Sequence, residues 1–374
     1  MGKLKFKNLS DKEIDYMHVV YKDSDETWDS RMHILKEFTG KSERTVLKWC
    51  SDLGFSERKE PEPEQFQKAK EKQHDKSKKR FIITWGQCNT NVHAKFLSNI
   101  ETYAKYINAD IHVIAGRYRN PTSLKTEKYG KNEEVWSDEL LPYLDANRHD
   151  IHRFVSILAD IKIQPTAARP MSSMSAVSGD NSCIFGAPKV HMEMIPVLEG
   201  REPKMMVTTG ACTIANYTET KAGKKGEFHH TLGFVIVEIK DNERFYLRQV
   251  TANNNGSFND LFFNVKDNEV TTNKSVAAII LGDVHVGDHD ERILNTTFND
   301  LFIKLRPDNV ILHDVFNGHS ISHHEEDDPF KLYERELDGT NSLKTEIDNL
   351  LIWLEQLAEY KVTVVRSNHD DFID

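Results

Sequence analysis

Val276-Ala277-Ala278-Ile279-Ile280-Leu281-Gly282-Asp283-Val284-His285-Val286-Gly287 is a short apolar run that closes on a carboxylate and an imidazole framed by glycines. Such a run reads as a buried strand. In an extended chain residues i and i+2 share a face, so Asp283 and His285 would offer two ligands of different type to one ion. The same plan recurs twice downstream. Val310-Ile311-Leu312 leads into His313-Asp314-Val315-Phe316-Asn317, and Val362-Thr363-Val364-Val365 leads through Arg366 into Ser367-Asn368-His369-Asp370. Helical patterns at Arg292 to Leu305 and at about Ser342 to Glu359 separate the three runs. Each polar cluster alone is weak evidence. Three in succession, each at the end of a hydrophobic strand, place the chemistry where open α/β layers carry it.

Upstream, Phe81-Ile82-Ile83-Thr84-Trp85, a helical stretch from Val92 to Ile107 and Ile111-His112-Val113-Ile114-Ala115 spell a β-α-β unit with a parallel pair. The runs Gly233 to Ile239 and Arg244 to Val250 flank a polar turn, which predicts a hairpin, and the small polar residues from Ser172 to Ser182 predict a loop. Near the N-terminus, Met32, Ile34, Leu35 and Phe38 form one helical stripe. Val46, Leu47, Trp49 and Leu53 form a second, with Thr39-Gly40-Lys41 between them, Ser42 as cap and Gly54 as stop. This pattern fits a helix-turn-helix whose Glu43, Arg44 and Lys48 could meet DNA, and it fits equally a helical hairpin that only packs. The fold class is thus α/β (α+β). The domains are 1–55 helical, 56–80 a charged linker or solvated helix, 81–272 mixed α/β, and 273–374 the region of the three polar clusters.

Composition narrows the classes. The 374 residues are 38% hydrophobic and 29% charged, which suits a water-soluble protein of two or three domains, and no stretch approaches the roughly 20 apolar residues of a membrane span. The N-terminus lacks the apolar core of a signal peptide, which implies the cytoplasm. Cys50, Cys88, Cys183 and Cys212 are far apart, which predicts reduced thiols rather than disulfides or a thiolate zinc site. A formal charge of -10 excludes coating of nucleic acid by bulk positive charge, but not an enzyme whose carboxylates hold cations.

The order of the three clusters resembles the calcineurin-like metallophosphoesterases, whose pattern is D-x-H, then G-D with a following polar residue, then G-N-H-D/E, then two later histidine motifs. Asp283-Val284-His285, Asp314 with Asn317, and Asn368-His369-Asp370 match the first three. His313 and Ser367 stand where the family usually has glycine, and neither of those glycines is a ligand. The resemblance covers about 276–374 and implies a β-sandwich flanked by helices, incomplete within these residues. It implies two divalent metal ions, manganese foremost and iron, zinc or magnesium as alternatives. Asp283 and His285 would bind the first ion, Asp314 would bridge, and Asn368 would bind the second. His369 would act on the scissile phosphate with Asp370 tuning it. No G-H-x-H follows Asp370, which leads us to expect a longer protein, a weak metal site in these residues alone, and an exposed edge that favours homo-oligomers.

Asn317-Gly318-His319 replaces the Asp-Arg-Gly of protein phosphatases. The first motif is more similar to that of the double-strand-break repair nucleases of the same superfamily, and the layout is similar to bacteriophage proteins that degrade host DNA early in infection. The expected function is therefore a metal-dependent phosphodiesterase, a DNA nuclease with DNA as partner, working in the host cytoplasm if viral. The alternatives are a small-molecule phosphodiesterase or nucleotidase, and a non-enzymatic DNA-binding protein with a degenerate site. Glu238-Ile239-Lys240 echoes the E-x-K of another nuclease fold, but no placed upstream aspartate completes it. His319, His323 and His324 receive no ligand role from the resemblance.

Overall fold

The computed structural model describes residues 5–23, 25–53, 55, 62–120, 134–198, 201–322 and 328–373. Gly54, the predicted helix stop, His323 and His324 lie outside the described residues, as do residues 56–61 of the predicted linker. The chain divides into two compact units, residues 1–67 and 68–374.

The first unit contains α1 (Asp11–Lys22), α2 (Trp28–Thr39) and α3 (Glu43–Asp52). Their apolar stripes close on Met17, Tyr21, Met32, Leu35, Val46 and Trp49. Thr27 caps α2 by accepting from the Ser30 N–H, and Gly40 ends that helix in the left-handed conformation at φ 64°. Ser42 does precede α3, but its hydroxyl makes no capping bond and lies 3.0 Å from the Thr45 hydroxyl instead. Arg44 and Lys48, one helical turn apart, are exposed.

Within the charged stretch, α4 (Glu64–Lys70) forms a short helix. Ala69 is buried, and its carbonyl accepts from the Ala146 N–H.

The second unit is a mixed α/β body. It begins with β1 (Arg80–Gln87), α5 (Ala94–Ile107) and β2 (Asp110–Gly116), the predicted β-α-β unit with its strands parallel. There follow β3 (Leu144–Asp145), β4 (Arg148–His152), β5 (Val155–Leu158), β6 (Ser182–Phe185), β7 (Met192–Ile195) and β8 (Lys204–Thr208). After α6 (Lys221–His229), β9 (Gly233–Ile239) and β10 (Phe245–Thr251) make the predicted antiparallel hairpin. These strands build two five-stranded sheets, ordered β10-β9-β1-β2-β3 and β4-β5-β6-β8-β7. Phe81, Ile83, Trp85, Val235 and Val237 of the first sheet and Val155, Ile157, Ile184 and Val207 of the second share one buried cluster, so the sheets pack face to face. Helix α5 covers the other side of the first sheet, where Phe96 stacks on Phe234 at 6.2 Å.

A small sheet of β11 (Phe258–Asp260), β12 (Phe263–Lys266) and β13 (Glu269–Thr272) then leads to the C-terminal layer. That layer contains β14 (Ile279–Asp283), α7 (Glu291–Thr296), β15 (Val310–His313), α8 (Pro329–Asp338), α9 (Leu343–Glu355) and β16 (Val362–Val365). Its three strands are all parallel, in the order β14-β15-β16. Val310 and Leu312 are fully buried against Phe302 and Trp353 from the connecting helical segments. The opposite face is open, with Ile280 70% and Val365 43% exposed. No helix among the described residues is long and apolar enough to cross a membrane. All four cysteines are buried free thiols, as their spacing predicted.

Glu238 belongs to an ion-pair network rather than to a metal centre. Arg248 of β10 reaches Glu238 at 2.9 Å and also grips Asp260, whose carboxylate accepts from the Tyr103 hydroxyl at 2.6 Å. Asp260 is 1% exposed, so its charge depends on Arg248. Arg248→Met should therefore destabilise the chain by about 3–5 kcal/mol in denaturant unfolding. A loss below about 1 kcal/mol would show that solvent compensates the stranded carboxylate.

Candidate metal centre

Parallel pairing sets the C-terminal ends of β14, β15 and β16 side by side. Asp283 stands opposite His313, and His313 opposite Val365. The His313 Nδ1 lies 3.1 Å from the Asp283 Oδ1 and 3.1 Å from the Asp314 Oδ2. These three side chains present ligand atoms within 4.8 Å of one another, close enough for one ion. Sequence reasoning treated His313 only as a replaced glycine. The signal that would have found it is the strand register, which puts it beside Asp283.

His285 is placed differently from the extended-strand expectation. β14 ends at Asp283, and the chain turns left-handed at His285, φ 45°, so the two side chains are not successive residues on one strand face. The His285 ring instead meets the His369 ring edge-on at 4.7 Å. Asp314 also has φ 45°, held by the Val284 and His285 N–H groups, which donate to its carbonyl at 3.1 and 2.8 Å. Such a conformation costs an ordinary L-residue about 1–2 kcal/mol, and it is seen most where a site has to aim a side chain.

Asp314 is nearly buried, and burial works to raise its pKa. The Ser367 hydroxyl and the neighbouring His313, His369 and His285 outweigh that effect and hold its carboxyl below the usual aspartate value. It therefore stays ionised into the acid range where an exposed aspartate is already taking up a proton. The Asp314 Oδ1 and the His285 Nδ1 are both buried without a hydrogen-bond partner among the described residues. Orphaned atoms of these two types, next to Asp283 and His313, are what a borderline divalent cation would satisfy, so the residues present fit the expected metal.

His369 reaches the same cleft, of about 470 Å³, which Asp283, His285, Asp288 and Asn317 also line. Its Nδ1–H donates to the Asn317 carbonyl at 2.7 Å, which leaves Nε2 as the nitrogen that can give or take a proton. Asn317, read from sequence only as the polar residue after Asp314, thus orients His369 through its main chain. No hydrogen bond from Asp370 to that ring is found among the described residues. The Asp370 carboxylate accepts from the Ser367 N–H at 2.8 Å and closes the 367–370 turn that carries His369. Asn368 is exposed on the same turn. Asp288, unremarked in the sequence, sits between this cleft and a second of about 440 Å³. It accepts from the His319 Nε2–H at 2.7 Å, and Arg335 donates to the other ring nitrogen of His319.

No family model matches the chain. It is 29% identical over 308 residues to "Protein A1" of Escherichia phage T5, an alignment that covers 79% of this chain and 55% of that one. The chain thus spans about half the length of this curated relative. Among solved structures, Vps29 of Chaetomium thermophilum aligns with 46% of this chain and 98% of its own, at 9% identity and a TM-score of 0.23, a superposition too loose to constrain fold or function.

If His313 is a ligand, His313→Ala should weaken manganese binding by about tenfold or more in calorimetry while thermal stability changes little. Unchanged affinity would assign the residue a packing role only.

Proposed function

We propose that this chain carries a two-metal phosphodiesterase centre that acts on DNA. The observation that supports this most is the convergence of Asp283, His313 and Asp314 at aligned parallel strand ends, with buried, unpartnered ligand atoms on Asp314 and His285. Asp283, His285, Asp314 and Asn368 are the residues that the motif order assigns to metal, and His313 joins them on geometry. Divalent cations held there, manganese foremost, supply Lewis acidity to the phosphoryl oxygens and to the attacking water.

The remaining chemistry belongs to the chain. His369, fixed by the Asn317 carbonyl, holds a proton at Nε2 for the departing oxygen, and the Asp370 turn keeps the ring in place. DNA as substrate rests on the similarity of the first motif to that of the repair nucleases, and on Arg44 and Lys48, exposed one turn apart on α3. The motif layout, similar to that of bacteriophage proteins that degrade host DNA, supports a role in degrading host DNA, and the 29% identity to a phage T5 protein supports an infected cell as its setting.

Two experiments bear on this reading. His369→Ala should leave manganese binding nearly intact and lower DNA cleavage by two or more decades, whereas Asp314→Ala should lose both. Loss of metal binding in His369→Ala would place that residue among the ligands. Arg44→Ala with Lys48→Ala should weaken DNA binding and flatten its salt dependence, yet leave hydrolysis of bis-nitrophenyl phosphate unchanged. DNA affinity equal to that of the parent would reduce α3 to packing and favour a small phosphodiester as substrate.

A further inference from the structure

A second group of metal-ligand side chains lies in the central sandwich, outside the cleft described above. His112 projects from β2, Asp145 from the two-residue β3 and His149 from β4, so the group joins an edge of one sheet to an edge of the other. All three are essentially buried, at 0%, 0% and 3% exposure. The His112 Nδ1 is 2.6 Å from the Asp145 Oδ2, and the His149 Nε2 is 2.8 Å from the same oxygen. One ligand atom from each lies within 4.8 Å of the others. On the far side of His112, Nε2 donates to Asp110 at 3.2 Å, and Asp110 is itself held by the Asp75 N–H at 3.0 Å.

That order of carboxylate, imidazole and shared centre is how metal-ligating histidines are oriented. The outer carboxylate takes one ring N–H and turns the other nitrogen inward as a lone pair. A second observation is independent of the first. The His74 ring packs edge-on against His149 at 5.5 Å, and its Nδ1 is buried with no hydrogen-bond partner among the described residues. It adds an unsatisfied imidazole nitrogen next to His149, although His74 is not one of the three side chains whose ligand atoms come within 4.8 Å of one another. We infer that His112, Asp145 and His149, with Asp110 orienting His112 and the His74 ring packed alongside, form a structural site for one zinc-class divalent cation that fastens β3 and β4 to β2.

Two imidazoles and one carboxylate, with the fourth position open to water, suit zinc or cobalt in four-coordinate geometry and not magnesium or calcium. An ion with donors at about 2.0–2.2 Å sets neighbouring donors somewhat more than 3 Å apart, so binding would spread the present 2.6 and 2.8 Å contacts by a few tenths of an ångström. The site has a structural use. β3 is only two residues long, and its pairing with β2 is limited to Val113 with Leu144 and Ile114 with Asp145. A bond network through Asp145 supplies the attachment that so short a ladder lacks. The competing account is a metal-free network in which a protonated His112 bridges Asp110 and Asp145, and the test separates the two.

The full chain should be stripped with a chelator, then titrated with zinc and with cobalt, in the parent and in an Asp283→Ala/Asp314→Ala background that removes ligands of the C-terminal centre. In both, one equivalent should bind with the visible spectrum of tetrahedral cobalt and should raise the melting temperature. His149→Ala should abolish that spectrum, and Asp110→Asn, which preserves shape, should weaken zinc binding about ten- to a hundredfold. Should His149→Ala fail to fold, the Asp110→Asn titration and the double-variant spectrum decide the matter. A folded double variant that binds no zinc and gives no tetrahedral cobalt spectrum would overturn the proposal and leave the metal-free network. So would Asp110→Asn with parental zinc affinity. Because the readout is taken without Asp283 and Asp314, its failure leaves the phosphodiesterase reading untouched, and failure of that reading leaves this one standing.

Discussion

The parallel register of β14, β15 and β16 is the constraint on which the C-terminal layer depends. A parallel ladder fixes which residues stand abreast, so the buried Val310 and Leu312 also determine where His313 and Asp314 emerge. A slip of one residue would reverse the faces, exposing the apolar side chains and scattering the polar ones. Burial of the strand and assembly of the centre are one event. The cleft therefore draws its precision from the hydrophobic core beneath it rather than from the loops that rim it.

Local strain sits at the same place. The chain turns left-handed at both His285 and Asp314, and each turn is stitched to the other strand by main-chain bonds to the Asp314 carbonyl. The resulting geometry leaves one oxygen of Asp314 and one nitrogen of His285 buried without partners among the described residues. Unsatisfied buried polar atoms are rare because each costs about 1–3 kcal/mol, and a cation bound there would recover that cost. Around them the chain provides orientation. Asn317 turns the His369 ring, and Asp370 fixes the turn that carries it.

The central sandwich follows a different logic. Its two sheets meet over aliphatic and aromatic residues, but the rims are held by buried charge, through Arg248 with Asp260 and Glu238 on one side and Asp145 with His112 and His149 on another. Buried charges in so apolar a setting are stable only when fully paired. These pairings are therefore specific, and they tie short strands and helix α5 to positions that strand pairing alone would leave loose.

The sequence by itself determined the long periodic elements and the local chemistry. The β1-α5-β2 unit, the β9-β10 hairpin, α2 and α3, and three apolar strands leading into Asp283, Asp314 and Asn368-His369 are all visible as patterns, because each depends on neighbours within a few residues. Tertiary structure alone decided what those ends do to one another. It placed His313 between two carboxylates, turned His285 toward His369, and directed Asp370 to Ser367. It also gathered His74, Asp110, His112, Asp145 and His149 from four segments that carry no motif. Periodicity reports which face of a strand is apolar. It contains no information about register between strands distant in the chain, and register is what brings ligand atoms within reach of one ion.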